Sequence, residues 1–215
     1  MKCLPYRCTF IILLFLGCSK HKEPSPTRGT VTIQGKTYRT TTIGNLTWTS
    51  DNYDGEGGRS LIDDSGNDFA FGKLYTHHEA MSVSLPAGWR VPTPNDFISL
   101  YNYIGGKQIK LGYTVLGDSA LLKLSSTSKW YDNKGTNESG FNALPAGYYF
   151  DADTYVDSWE LQQVAAIFLT SDPPSAQRIT GSFCLYHEVL FFEAGFLPFV
   201  RNETDRASLR FVKDE

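Results

Sequence analysis

A chain of 215 residues is long enough for one substantial domain with its own core. Hydrophobic residues at 41% and charged residues at 20% exclude a disordered polar chain, while 14% aromatics point to a fold rich in strands and loops. The net charge of −3 argues against nucleic acid and anionic membrane surfaces as partners.

The N-terminus reads as a targeting segment. Lys2 and Arg7 form a positive region, and residues 10–16 (FIILLFL) form an apolar run. That run is too short for a permanent transmembrane helix, which takes about 20 apolar residues. Leu14-Phe15-Leu16-Gly17-Cys18 resembles a bacterial lipobox, with Phe15 where Leu is usual. The resemblance implies cleavage before Cys18 and lipidation of its thiol; the alternative is a plain secretory signal. Two acyl chains hold a protein stably at a membrane, each buried CH₂ contributing about 0.8 kcal/mol. Ser19 follows the cysteine where Asp favours inner-membrane retention, so the outer membrane is expected. Cys3 and Cys8 leave with the signal and Cys18 is lipidated, so Cys184 has no disulfide partner and is expected as a buried thiol. Losing Lys2 and Arg7 leaves 18 basic against 23 acidic residues, a charge of −5. The expected organisation is a signal at 1–17, a lipidated polar tether at 18–29 and one domain at 30–215.

Residues 31–38 read as a hairpin turning at Gln34-Gly35-Lys36, and 40–48 continue as strand with a break at Gly44-Asn45. Residues 51–68 read as a loop with six carboxylates: Asp51, Asp54, Glu56, Asp63, Asp64 and Asp68. Oxygen ligands on a loop suit Ca²⁺, but the EF-hand spacing is missing, so a solvated acidic loop is the better reading. The segment 71–81 is read as opening a helix, with Thr76 and Glu79 in capping-box spacing. His77 and His78 point about 100° apart on a helix and do not share one ion easily, so no metal is expected. Thr93, Pro94 and Asp96 mark a second helix start. Phe97, Leu100, Tyr101 and Ile104 then fall on one stripe, and Gly105-Gly106 ends the helix.

Residues 107–131 are mixed and end in Trp130-Tyr131. The stretch 135–149, GTNESGFNALPAGYY, opens with turn residues and continues as an uncharged apolar run broken by Pro145 and Gly147. Phe141 and Leu144 are expected to be buried, with Pro145 at a bend. Asn137, Glu138 and Asn142 are read first as residues that fix the loop and second as ligand contacts. Strand-like runs follow at 164–170, 183–192 and 208–212.

Four stretches carry a family resemblance: GKTYRTTTIGNLTWTSDNY at 35–53, WRVPT at 89–93, the 135–149 stretch, and the closing ASLRFVKDE at 207–215. Together they resemble the Fibrobacter succinogenes major paralogous domain, a module of bacterial envelope lipoproteins. Phe211 stands where that family often has a cysteine. WRVPT is also similar to formylglycine-generating-enzyme-like domains. The order of elements suggests an α+β domain. The resemblance implies a C-type-lectin-like fold with small antiparallel sheets flanked by two helices, and neighbouring N- and C-terminal strands.

Fold does not fix function. The favoured reading is a lipid-anchored, non-enzymatic envelope module that binds a glycan or a protein. Trp130, Tyr131, Tyr155 and Trp159 offer rings for stacking on sugars, and Asn137 and Asn142 offer hydrogen bonds. Calcium-lectin motifs are missing, and no cofactor or metal is expected. The alternative is a structural, adhesion or assembly component. An enzyme is less favoured: Cys184 alone supplies no cysteine pair, and Ser139-Gly140 lacks the first Gly of G-x-S-x-G. A glycosidase pair among Asp151, Asp153 and Asp157 would need a separation that sequence does not give.

Overall fold

The structure, a computed structural model, describes residues 26–62, 68–107, 114–116, 119–131, 135–150, 158–173, 182–188, 191–196, 200 and 202–215. Cys18, Asp63, Asp64, Asp151, Asp153, Tyr155 and Asp157 lie outside them. Among the described residues no helix is long and apolar enough to cross a membrane.

Three strands open the domain: β1 (Thr27–Ile33), β2 (Lys36–Ile43) and β3 (Leu46–Thr49). They form a meander whose two-residue turns fall at Gln34-Gly35 and Gly44-Asn45, as the turn residues lead one to expect. β1 starts at Thr27, so residues 27–29, assigned above to the tether, are already paired into the sheet. The last strand, β14 (Val212–Asp214), pairs with β3, and β6 (Trp89–Arg90) pairs with β14. The five-stranded order is therefore β1-β2-β3-β14-β6, and the C-terminal strand joins the N-terminal meander at its third strand.

A seven-stranded sheet has the order β4-β5-β13-β10-β11-β12-β7, comprising β4 (Arg59–Ile62), β5 (Asp68–Tyr75), β7 (Thr114–Leu116), β10 (Ala165–Leu169), β11 (Ser182–Glu188), β12 (Phe191–Phe196) and β13 (Ala207–Ser208). Its β10–β13 pair is parallel, so the sheets are not all antiparallel. β8 (Tyr148–Phe150) and β9 (Ser158–Glu160) form a separate pair. Among the described residues the helices are α1 (His77–Met81), α2 (Pro94–Tyr103) and α3 (Ser119–Leu124), three where two were expected. The domain is α+β, dominated by sheet.

Several local expectations change. Residues 71–75 belong to β5, so the helix read across 71–81 is only the short α1, entered through the Thr76–Glu79 capping box. A strand, β4, crosses the expected acidic loop and pairs with β5. The run 183–192 divides between β11 and β12, which pair with each other. The run 208–212 is interrupted: Leu209 to Phe211 are in no strand.

Burial follows the period of each element. Phe97, Leu100, Tyr101 and Ile104 of the α2 stripe are buried against Trp48 and Val212 of the first sheet and Phe168 and Phe183 of the second. The Phe97 and Phe183 rings stack with centroids 4.7 Å apart. On β10, Ala166 and Phe168 face this cluster, while Ala165, Ile167 and Leu169 face a second one with Tyr38, Tyr53, Tyr75 and Phe211. Burial on both faces explains a strand apolar throughout. Cys184 lies buried in the second cluster.

Candidate functional site

The 135–149 stretch begins by closing a helix end. The last carbonyls of a helix have no partner inside it. Here Thr136 N–H donates to Leu122 O (2.8 Å), Ser139 N–H and Oγ to Lys123 O (3.2 and 2.8 Å), and Ala143 N–H to Leu124 O (2.9 Å). Nothing in the sequence announces this, since α3 itself lies in a stretch of mixed signals.

The next residues are clamped from behind. Thr41 Oγ1 donates to Ser139 O (3.1 Å) and Ser50 Oγ to Gly140 O (2.8 Å). A Cβ on Gly140, where φ is +75°, would meet Thr41 Oγ1 at 2.7 Å, so only glycine fits there. Arg210, fully buried, donates Nη1 to Phe141 O (2.9 Å) and Thr49 O (2.6 Å), Nη2 to Asn142 O (2.9 Å) and Nε to Asn52 Oδ1 (2.7 Å). Its guanidinium also lies 5.0 Å from the Phe141 ring centroid and 5.4 Å from that of Phe168. Burial pushes the guanidinium down to about 9, against which the charge of Asp51 acts, so it remains a cation at neutral pH. Sequence reasoning missed Arg210. The one available signal was a cation inside an otherwise apolar LRFV run.

Asn137 (φ 51°) and Asn142 (φ 57°) hold the left-handed conformation that Asn tolerates best among residues with a Cβ. Asn142 N–H donates to Asn137 Oδ1 (2.8 Å), and Asn142 Nδ2 donates to Ser50 O (3.3 Å). Both are half-buried and tie the loop to itself and to β3's end, while Glu138 between them is exposed. Phe141 is fully buried and Pro145 is buried; Leu144 is only half-buried.

The aromatic candidates separate. Trp130 is buried and donates Nε1 to Ser126 Oγ (3.1 Å), a core position. Tyr131 is 74% exposed, and its N–H donates to Gln163 O, while Gln163 N–H donates to Pro145 O. Positive φ at Lys129, Leu161 and Gln163 marks this as a sharply bent surface. Trp159 sits in β9 opposite Tyr149 of β8.

Where the expected acidic loop begins, its carboxylates are held against β2. Arg39 donates Nε and Nη2 to Asp51, and Lys36 Nζ and Tyr38 Oη donate to Asp54. Burial alone would raise the Asp51 carboxyl, but the Arg39 hydrogen bonds hold it below the usual range. His77 is engaged with Ser171 O at 3.1 Å and His78 is exposed. Among the described residues no group of three or more His, Cys, Asp or Glu is placed to hold a metal ion.

A cleft of about 190 Å³ lies where these elements meet. The β2–β3 turn supplies Ile43 and Gly44, the end of α2 supplies Tyr103 and Ile104, α3 supplies Lys123, and the 135–149 stretch supplies Glu138 and Ser139. Tyr103 is 53% exposed, and Lys123 Nζ donates to Ile104 O at 3.1 Å. The cleft thus joins an aromatic ring, an ammonium and a carboxylate, and its Ser139 side is held by Thr41 Oγ1 and by the bond of Ser139 Oγ to Lys123 O. A model of the Fibrobacter succinogenes major domain matches residues 34–213. No curated protein and no solved structure matches the chain. Over residues 34–213, from the end of β1 into β14, the chain belongs to the Fibrobacter succinogenes major domain family.

Proposed function

We propose that this is a lipid-anchored protein of the bacterial cell envelope, held at the outer membrane through Cys18, whose domain at 30–215 binds a glycan or a protein partner without converting it. The observation that carries the reading is the cleft, where an exposed ring, Tyr103, stands beside groups of both charges, Lys123 and Glu138. A ring face with a few convergent polar groups is the chemistry by which proteins hold small polar ligands. A non-enzymatic role is favoured because several of the ionisable groups the fold brings together serve as struts: Arg90 with Asp96 and Asp214, Arg206 with Glu79, and Arg39 with Asp51. Exposed Tyr131 is a second candidate contact, outside the cleft. The C-type-lectin-like reading draws support from β14, which returns the C-terminal strand to the opening meander.

The test is a glycan array probed with the full chain in detergent, with and without Ca²⁺, followed by analysis of the bound glycans for cleavage. Retention without cleavage, independent of Ca²⁺, supports the reading, and turnover refutes it. Cys18→Ala should leave an unprocessed or soluble chain that no longer partitions into detergent phase. Unchanged partitioning refutes the anchor.

One observation favours an assembly role as the second reading. Among the described residues no strand pairs with the outer side of β1, which is seven residues long, carries Arg28 as its one charge and no Pro, and keeps an unbroken register to β2, so an added strand would fit there.

A further inference from the structure

We propose that the cleft beside Tyr103 takes a single neutral pyranose ring, stacked on the Tyr103 face and hydrogen-bonded through its hydroxyls to Lys123 and Glu138. This rests on the binding reading above and names the ligand class of that site.

Three observations converge. The first is a ring held ready. A Cβ built on Gly44 would lie 3.1, 3.4 and 3.5 Å from Cδ2, Cγ and Cε2 of Tyr103. That spread is the one expected above a ring; beside its edge, the flanking carbons would lie much farther away than the nearest one. The Tyr103 face therefore rests on Gly44, whose φ of +66° and missing Cβ permit the approach. A ring covered on one face and still 53% exposed presents its other face to solvent. Packing of one face on Gly44 restrains the ring before a ligand arrives, and a restrained platform loses less freedom on binding.

The second observation is the placement of hydrogen-bonding groups. Lys123 and Glu138 line the same cleft as Tyr103, and Ser139 anchors the backbone between Glu138 and α3. An ammonium has three donors, and one is used on Ile104 O. A carboxylate accepts only, so between them the two side chains offer sugar hydroxyls both donors and acceptors.

Third come charge and size. One positive and one negative group line the cleft, so its formal charge is balanced and gives no preference for an acidic or an amino sugar. A volume of about 190 Å³ is below the range of roughly 300–1,000 Å³ that encloses drug-sized ligands. It suits one ring, free or at the end of a longer glycan.

The experiment uses the full chain in a detergent without a sugar headgroup. The probes are glucose, galactose, mannose and N-acetylglucosamine, their oligosaccharides, and glucuronate and glucosamine as charged controls. Binding is read by saturation-transfer NMR and calorimetry. The expected result is binding of a neutral sugar that Tyr103→Ala and Glu138→Gln each weaken by about tenfold, while Tyr103→Phe stays within about threefold. Thermal unfolding of Glu138→Gln and Tyr103→Phe should match the parent, and Tyr103→Ala, which loses the packing on Gly44, should still unfold cooperatively. Monosaccharide binding identifies the free sugar as ligand, and binding by oligosaccharides alone identifies a chain end; both uphold the site. Binding of charged sugars only, or neutral binding unchanged in Tyr103→Ala, overturns the assignment and leaves the wider binding reading standing. Binding of no sugar overturns the inference and the glycan half of the proposed function together, leaving a protein partner.

Discussion

Replacing Arg210 with Met tests the network that holds the 140–142 loop. The side chain is fully buried and donates four hydrogen bonds of 2.6–2.9 Å, three of them to backbone carbonyls. Met fills similar space but leaves Thr49 O, Phe141 O, Asn142 O and Asn52 Oδ1 without that donor. Each buried group stranded in this way costs about 1–3 kcal/mol, a gross loss of roughly 4–12 kcal/mol. Removing a buried charge returns several kcal/mol of desolvation. The net expectation is a loss of about 3–5 kcal/mol, a large part of the roughly 5–15 kcal/mol that stabilises a typical domain. At about 2–4 °C per kcal/mol for a domain of this size, the midpoint should fall by roughly 6–20 °C. Near-UV circular dichroism of the full chain in detergent during heating measures it. Arg210→Lys should fall between parent and Met variant, because an ammonium cannot reproduce the planar fork. A midpoint within about 2 °C of the parent for Arg210→Met would refute the network as the anchor of the 140–142 loop.

Leu100→Ala should cost about 2–5 kcal/mol by the same assay, since Leu100 is buried in the core between α2 and both sheets. Asn142→Ala should lower the midpoint more than Glu138→Ala, because it removes a bond to Ser50 O and sets a less tolerant residue at φ 57°, whereas Glu138 is exposed. Equal effects would argue against a loop-fixing role for Asn142. Asp96 gives a pH signature. Burial alone would raise its carboxyl, but hydrogen bonds from Arg90 and Thr93 outweigh this and hold it below the usual range. A carboxylate depressed in the folded state adds stability that is complete above the unfolded value of about 3.9 and is lost as pH falls through the lower folded value. Asp96→Asn should therefore lower the midpoint at pH 7 and flatten its fall below about pH 4. An unchanged acid profile would contradict the Arg90–Asp96 assignment.

The parts of the fold legible in the sequence were those set by local chemistry. The meander turns at Gln34-Gly35 and Gly44-Asn45, the two capping boxes and the α2 stripe each follow from residues close together in the chain. Local pattern misled where tertiary pairing decides. Residues 71–75 carry mixed signals and become strand because β4 and β13 lie on either side of β5. Chain order does not reveal the parallel β10–β13 pair, whose members are about 40 residues apart. The candidate site was legible in part. The 135–149 stretch proved central, yet what makes it so is Arg210, about 70 residues away and visible beforehand only as a cation in an apolar run. Tyr103 lay on the same helix as the predicted stripe but off it. Its exposure and its contact with Gly44 come from the packing of α2 against the β2–β3 turn.

The most direct test of the cleft as the binding site is hydrogen–deuterium exchange of the full chain with and without a saturating neutral glycan from the panel above. Exchange should slow at 44–45, 104–106 and 138–139, the backbone around Gly44, Tyr103 and Glu138, with the rest of the domain unchanged. Slowing confined to Tyr131 and 161–163, or no change anywhere on saturation, would contradict the cleft as that site.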